Sequence, residues 1–205
     1  YQPQEQYDLS GQYLAPTKGK NFEAGVKAQW LDDTLMTTFA YFTAEQDNLA
    51  SFAGINPENG QYYYEGVSVE SEGFEVEVVG QITDALRVQA SYTAIDVEDE
   101  AGNDANLWAP RDVVTFQLGY ELPAVPELTV GLGGRWQSEI SNTDYNVEQD
   151  SYFLANAYAT YAVTNDLTLR PNINNIFDEK YITSLHTIGF YGAPVNGSVS
   201  LTYAF

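Results

Sequence analysis

The side chains able to do chemistry are few. The 205 residues hold one histidine, His186, and no cysteine. A lone imidazole leaves no multi-histidine metal site and little acid–base capacity. Without thiols there are no thiolate metal sites, cysteine nucleophiles or disulfides. No nucleophile elbow is present, so a Ser-His-Asp triad has no support and no catalytic residue is assigned. Carboxylates are the abundant group. Asp96, Glu98, Asp99, Glu100 and Asp104 crowd one segment, and Asp47, Glu58, Glu65, Glu70 and Glu72 surround another. Hard oxygen ligands suit Ca²⁺, but the spacings match no defined calcium loop. Both segments read as solvated acidic surface, and no metal ligand is assigned.

Charge and composition narrow the class. Asp and Glu number 29 against 8 Lys and Arg, a net charge of −21 that would repel nucleic-acid phosphate. Yet 44% of residues are apolar, with 16 Tyr and 10 Phe, which excludes a disordered acidic tail. No apolar run reaches the length of a transmembrane helix. No signal peptide is visible, and the chain starts at Tyr1 without Met, as a processed product or a piece of a longer one would.

The elements that must carry these residues are strands. Val114, Phe116, Leu118, Tyr120 and Leu122 alternate with Thr115, Gln117, Gly119 and Glu121. Leu128, Val130, Leu132, Gly134 and Trp136 alternate with Thr129, Gly131, Gly133 and Arg135. This period of two recurs along the chain and predicts nine strands: 21–31, 35–48, 69–82, 85–96, 111–122, 127–140, 152–163, 167–176 and 197–205. Most exceed the usual globular strand of about five or six residues and match the ~9–11 needed to cross a bilayer. Connectors alternate without exception between short (32–34, 83–84, 123–126, 164–166) and long (49–68, 97–110, 141–151, 177–196). Transmembrane barrels sort their loops this way, with tight periplasmic turns and long extracellular loops, and a soluble sandwich has no reason to. Lys27, Arg87, Arg111, Arg135 and Arg170 all fall on polar faces, and Trp30, Tyr92, Tyr120, Trp136 and Tyr203 lie on apolar faces near strand ends. The fold class is therefore all-β, an antiparallel transmembrane barrel portion of about nine long strands. Nine strands do not close a bacterial barrel, so the chain reads as the C-terminal piece of a larger one. Residues 1–20 read as the remnant of an extracellular loop, 21–205 as barrel.

Several segments resemble a known family in order along about 190 residues. Pro16, Gly19, Asn21, Glu23, Gly25 and Lys27 match P-x-x-G-x-N-x-E-x-G-x-K. Ser71, Gly73, Glu75 and Glu77 match S-x-G-x-E-x-E. Ala109-Pro110-Arg111 and Trp136-Gln137-Ser138 follow. Asn172 to Tyr181 carries the signature of a penultimate strand, and Tyr191 to Asn196 precedes a last strand ending in Phe205. Together these resemble the C-terminal barrel portion of TonB-dependent siderophore receptors, and within them the hydroxamate-type subgroup. Val195 departs, standing where the subgroup commonly has Arg.

The resemblance implies an outer-membrane receptor and transporter for ferric siderophores in Gram-negative cells, energised through TonB. It implies a barrel of about 22 strands with a plugged lumen, of which these are the last nine. The plug domain and TonB box would lie outside this sequence. Implied partners are the ferric siderophore, outer-membrane lipid, the TonB complex and the barrel assembly machinery, which would read Phe205. No resident cofactor is implied, since iron arrives with the substrate. Ligand contacts would come from amphipathic rings in the loops: Tyr62, Tyr63, Tyr64, Trp108, Tyr145, Phe190 and Tyr191, with Arg111 as the lumen cation. The acidic loops should repel trianionic catecholates and favour neutral or cationic hydroxamates. His186 reads as an exposed loop residue. The alternatives are a passive porin or adhesin-type barrel, or a soluble β-sandwich binding module.

Overall fold

The computed structural model describes residues 1–143, 145–186 and 188–205. Asp144 and Thr187 lie outside the described residues. Eleven strands are present: β1 (Lys18–Trp30), β2 (Leu35–Ile55), β3 (Tyr62–Gln81), β4 (Leu86–Asp99), β5 (Asp112–Leu122), β6 (Val125–Gln137), β7 (Ile140–Asn142), β8 (Val147–Gln149), β9 (Tyr152–Ala162), β10 (Leu167–Asn174) and β11 (Asn196–Tyr203). The nine long ones hydrogen-bond in chain order, β1-β2-β3-β4-β5-β6-β9-β10-β11, and β7 and β8 pair separately. The nine expected strands are thus the nine of the sheet.

The register displays why the alternation exists. One face carries apolar rows that run unbroken from strand to strand. Tyr92 lies opposite Val114, Val114 opposite Trp136, and Trp136 opposite Phe153. Below it Val88, Leu118, Leu132, Ala157 and Ile173 form a second row, and Leu128, Tyr161, Leu169 and Leu201 a third. From Leu128 to Trp136 β6 advances about 27 Å, enough for a tilted crossing of the hydrocarbon layer. These side chains have no protein cover: Leu132 is 57% exposed, Leu201 65% and Val199 67%. The buried apolar residues among those described are Ala40, Val97, Ile140, Tyr152 and Leu185, and no large side chain is completely enclosed. A soluble sandwich would bury such rows between two sheets, at about 25 cal/mol per Å² gained. Here the rows are left for lipid, which removes the sandwich alternative.

The short turns are fixed by hydroxyls. Thr83 Oγ1 accepts from the Ala85 and Leu86 amides, and Thr164 Oγ1 accepts from Asp166 and Leu167. The turn after β1 runs through Leu31, Asp32 and Asp33 at φ of 53°, 54° and 68°, closed by Thr34 Oγ1 donating to the Leu31 carbonyl at 2.9 Å. Gly25 must stay a glycine, because a Cβ there would sit 2.6 Å from the Phe39 carbonyl oxygen.

Three expectations need correction. The 49–68 connector is mostly strand: β2 runs on to Ile55 and β3 starts at Tyr62, leaving six residues, 56–61. The Tyr-rich run from 62 has high β propensity and Tyr63 packs over Gly54, so the strands extend through Gly54 and Gly66. The 123–126 turn shrinks to two residues as β6 begins at Val125, with a register shift at Glu121/Leu122. The 141–151 connector overlaps the small β7–β8 hairpin. Beyond these, Pro171 sits inside β10 without a bulge. β10 pairs with β9 at Leu169↔Tyr161 and again at Asn172↔Tyr158 in one register, and the ladder skips the missing donor without slipping.

The chain divides into two compact units. One comprises Tyr1–Ala24, Tyr41–Phe74 and Ile95–Asn106; the other comprises Gly25–Ala40, Glu75–Ala94 and Leu107–Phe205. In the first, residues 1–17 form an anchored loop. Gln2 bridges to Thr17, Gln4 Nε2 donates to the Asn48 carbonyl at 2.6 Å, and the rings of Tyr7 and Tyr13 stack at 4.5 Å.

Candidate ligand-binding site

In the first unit, the three tyrosines at 62–64 open β3 rather than forming a loop cluster. Alternation splits them. Tyr62 and Tyr64 both meet Phe52 edge-on, at 5.5 and 6.0 Å between centroids, whereas Tyr63 lies over Gly54. The Tyr64 amide donates to the Tyr7 carbonyl, tying the N-terminal loop to this strand. Asn56, buried, closes the β2–β3 turn: its Oδ1 accepts from the Glu58 amide and its Nδ2 donates to the Leu9 carbonyl. Tyr62 keeps 64% of its surface exposed and is the most exposed of the three.

The same unit holds an acidic cavity of about 640 Å³ lined by Glu45, Glu70, Glu72, Asp96 and Glu98, with Lys20 beside them. Lys20 Nζ pairs with Glu45 at 3.2 Å, and the Tyr41 hydroxyl donates to Glu72 at 2.8 Å. No group of three or more carboxylates or histidines among the described residues is arranged to hold a metal ion. Two other aspartates serve backbone instead. Asp8 accepts from the Ser10 hydroxyl and the Gln12 amide, and Asp99 from the Ala101 and Asn103 amides. The Ser10 hydroxyl chiefly lowers the Asp8 carboxyl below its ordinary range, and the Asn103 amide does so for Asp99.

In the second unit, the loops between 138 and 195 are one hydrogen-bonded assembly. Asn142 Nδ2 donates to the Leu185 carbonyl at 2.7 Å and to that of His186 at 3.2 Å. Gln149 Oε1 accepts from the Ile182 amide, and Tyr181 leans on Tyr152 at 4.6 Å. Asn175, buried at φ 51°, bonds the Glu179 and Ala193 carbonyls and the Glu179 amide. Trp108 meets His186 edge-on at 4.6 Å. Tyr145 donates its amide to Asn142 Oδ1, so Trp108, His186 and Tyr145 are brought to one loop junction. Arg111 and Asp112 both donate their amides to Ser138 Oγ, fixing the start of β5. Phe190 and Tyr191 stand on the far arm of the 181–192 loop. They are 62% and 84% exposed, and the Phe190 carbonyl accepts from Thr183.

The assembly uses residues that the sequence did not single out, Asn142 and Gln149, together with Ser138 of the Trp136-Gln137-Ser138 segment. Short polar side chains look the same whether they latch a loop or face water, and their partners are up to 44 residues away. His186 is an exposed loop residue, as expected, and its ring also meets Trp108 edge-on. Asn175 lies within the Asn172–Tyr181 signature segment.

A family model described as "TonB dependent receptor-like, beta-barrel" matches residues 1–176. The chain belongs to this family. It is 33% identical to the ferripyoverdine receptor of Pseudomonas aeruginosa over its whole length, and 28% identical to the ferrioxamine B receptor of Salmonella typhimurium over 97%. It spans 27% and 30% of those two receptors. The solved pyoverdine outer-membrane receptor of P. aeruginosa, bound to pyoverdine, superposes with a TM-score of 0.87 at 31% identity, covering 99% of this chain and 32% of that one. The barrel segment is accordingly a Gram-negative outer-membrane element, and the exposed apolar rows are its lipid face. The receptor-family match sets the passive porin reading aside.

Proposed function

We propose that the protein of which this chain is part is a receptor and transporter for ferric siderophores, energised through TonB, and not an enzyme. The observation carrying this reading is the whole-chain likeness to receptors whose names specify ferripyoverdine and ferrioxamine B. The substrate class is a hydroxamate-type ferric siderophore. Iron enters as substrate and no resident cofactor is required. The other partners are lipid along the apolar rows, the barrel assembly machinery at Phe205, and TonB through a plug outside these residues. The chelate would meet the exposed rings Tyr62, Tyr145, Phe190 and Tyr191. Trp108 and Arg111 would lie deeper, held by His186 and Ser138 respectively, and Tyr63 and Tyr64 would support the site from β3.

The test is uptake of ⁵⁵Fe in iron-starved cells expressing the whole receptor, offered a panel of ferric siderophores. We expect uptake of a hydroxamate-type chelate that stops when TonB is deleted, and a lower affinity for that chelate in Trp108→Ala. Uptake that persists without TonB, or no uptake of any ferric chelate, would overturn the reading.

A further inference from the structure

Two of the tyrosines, Tyr7 and Tyr13, meet hydroxyl to hydroxyl. The segment that carries them is a miniature hairpin. Tyr7 and Tyr13 form an antiparallel bridge, the Leu14 amide donates to the Gln6 carbonyl, and the Asp8 amide donates to the Gln12 carbonyl. The Asp8 carboxylate closes the turn on the Ser10 hydroxyl and the Gln12 amide, and Gly11 supplies a φ of 78°. A turn closed this way holds the register of its arms, so the two side chains stay opposite one another.

The rings stack with centroids 4.5 Å apart and planes inclined by 28°. The Tyr7 hydroxyl donates to the Tyr13 oxygen at 2.8 Å. This bond is the main cause that lifts the Tyr7 hydroxyl above its ordinary pKa, so Tyr7 keeps its proton at neutral pH. With the rings stacked and the oxygens in contact, the carbons ortho to each hydroxyl, the Cε atoms, face each other across the gap. Both rings are open to solvent, Tyr7 at 41% and Tyr13 at 62% exposure. The hairpin also lies on the extracellular side. The Tyr64 amide donates to the Tyr7 carbonyl and Asn56 Nδ2 to the Leu9 carbonyl, which ties it to the outer ends of β2 and β3. The cell surface is an oxidising environment.

We propose that Tyr7 and Tyr13 are an oxidative modification site, at which a peroxide activated by a haem peroxidase couples them into one dityrosine that staples the 7–13 hairpin. Each phenol loses one electron and its hydroxyl proton, and one peroxide is reduced to two waters. The two phenoxyl radicals join through one Cε–Cε bond. The hydrogens on the joined carbons then pass as protons to the phenolic oxygens, and both rings regain aromaticity. The product is two hydrogen atoms lighter and keeps both hydroxyls. Selectivity comes from proximity, because a radical on either ring already touches its partner. Elsewhere one of the two conditions fails. Tyr152 and Tyr181 are as close, at 4.6 Å, but Tyr152 is buried at 6% exposure. Tyr62 is exposed, but the ring it meets is Phe52, which carries no hydroxyl. The staple would keep the two arms joined after a cut within residues 8–12. The proposal goes beyond the transporter reading and does not rest on it.

The test treats the whole receptor in vesicles with a haem peroxidase and limiting hydrogen peroxide. The protein is then cleaved before Asp8, which lies between the two tyrosines, and its peptides are read by mass spectrometry. We expect the Tyr7 and Tyr13 peptides to stay joined and to weigh two hydrogen atoms less than their sum. Dityrosine fluorescence of the intact protein should fall about tenfold in Tyr7→Phe and in Tyr13→Phe, and stay at the wild-type level in Tyr62→Phe. Separation of the two peptides overturns the proposal, whether the dityrosine then lies elsewhere, joins two receptors or does not form. Tyrosines 7 and 13 that are hydroxylated but not joined overturn it as well. Phenylalanine keeps each ring in place, and heat-modifiable mobility checks that the barrel is folded. Should either variant fail to fold, the wild-type peptide map decides alone.

Discussion

Two regions of this chain obey one strand geometry and carry opposite charge. In the first unit a cavity of about 640 Å³ is lined by Glu45, Glu70, Glu72, Asp96 and Glu98. In the second unit two cavities are lined by arginine and carboxamide with no carboxylate. The contrast lies on alternate residues of the same strands. In β4, positions 88, 90 and 92 carry Val, Ala and Tyr, and the same alternation continues through Asp96 and Glu98. Hydrocarbon forbids charge on its own face, so charge there must move to the inner one. Where no hydrocarbon touches the strand, the prohibition ends and the outward positions fill with acid. Asp96 thus marks where the lipid face of β4 ends.

The largest expected effect breaks that comparison directly. Leu132→Arg places a cation in the middle apolar row and should cost about 2–4 kcal/mol of folding free energy in lipid. Glu98→Arg, on the acidic face of β4, should change stability by no more than about 0.5 kcal/mol. Urea titration of the whole receptor folded into vesicles, scored by heat-modifiable mobility, compares the two. Equal costs would mean that Leu132 does not face lipid, or that Glu98 does.

How much of this was legible beforehand follows from the same physics. A period of two, kept over 11 to 14 residues by a lipid face, is visible in β4, β5, β6 and β9 without any tertiary knowledge. Where the lipid face ends, so does the signal. Residues 49–55 and 62–68 are strand, but their alternation no longer has to be apolar on one side, and Gly54, Gly60 and Gly66 dominate the local pattern. The site was less legible. Aromatic loop residues could be named one by one, but the contact between Trp108 and His186 joins positions 78 residues apart and leaves no local trace. Gln89, Gln117 and Asn156 each read as an ordinary polar-face residue, although the ladder sets them side by side. Their common row appears only when the register is known.

A smaller effect sharpens the electrostatic side. If the acidic cavity steers ligand, changing Glu70, Glu72, Asp96 and Glu98 to amides in the whole receptor should slow association of a cationic ferric hydroxamate by several-fold at low salt, and hardly at all at high salt. Association of a trianionic catecholate should quicken. Stopped-flow binding at two ionic strengths reads both rates. Unchanged rates for both chelates would reduce the acid to a solvated surface.

The smallest effect separates two ways of closing a turn. In the first unit Asp99 closes one with a carboxylate, accepting from the Ala101 and Asn103 amides at 2.9 Å each. In the second unit Thr164 closes one with a hydroxyl, accepting from Asp166 and Leu167. The Asn103 amide, more than any other contact, holds the Asp99 carboxyl below its ordinary value. A group whose pKa is lowered by folding stabilises the folded turn above its unfolded pKa, about 3.9 for Asp, and that contribution disappears as pH falls through the folded value. Amide-exchange protection at Ala101 and Asn103 should therefore hold from neutrality down to about pH 4 and fall below it. Protection at Leu167 should not change over the same range, because its acceptor does not titrate. Asp99→Asn keeps an acceptor oxygen without the charge, and should show weaker protection at neutral pH with no acid transition. If wild-type Asn103 stays as protected at pH 2 as at pH 7, the carboxylate is not what closes the turn. The backbone pair between Asp99 and Asn103 would then be sufficient alone.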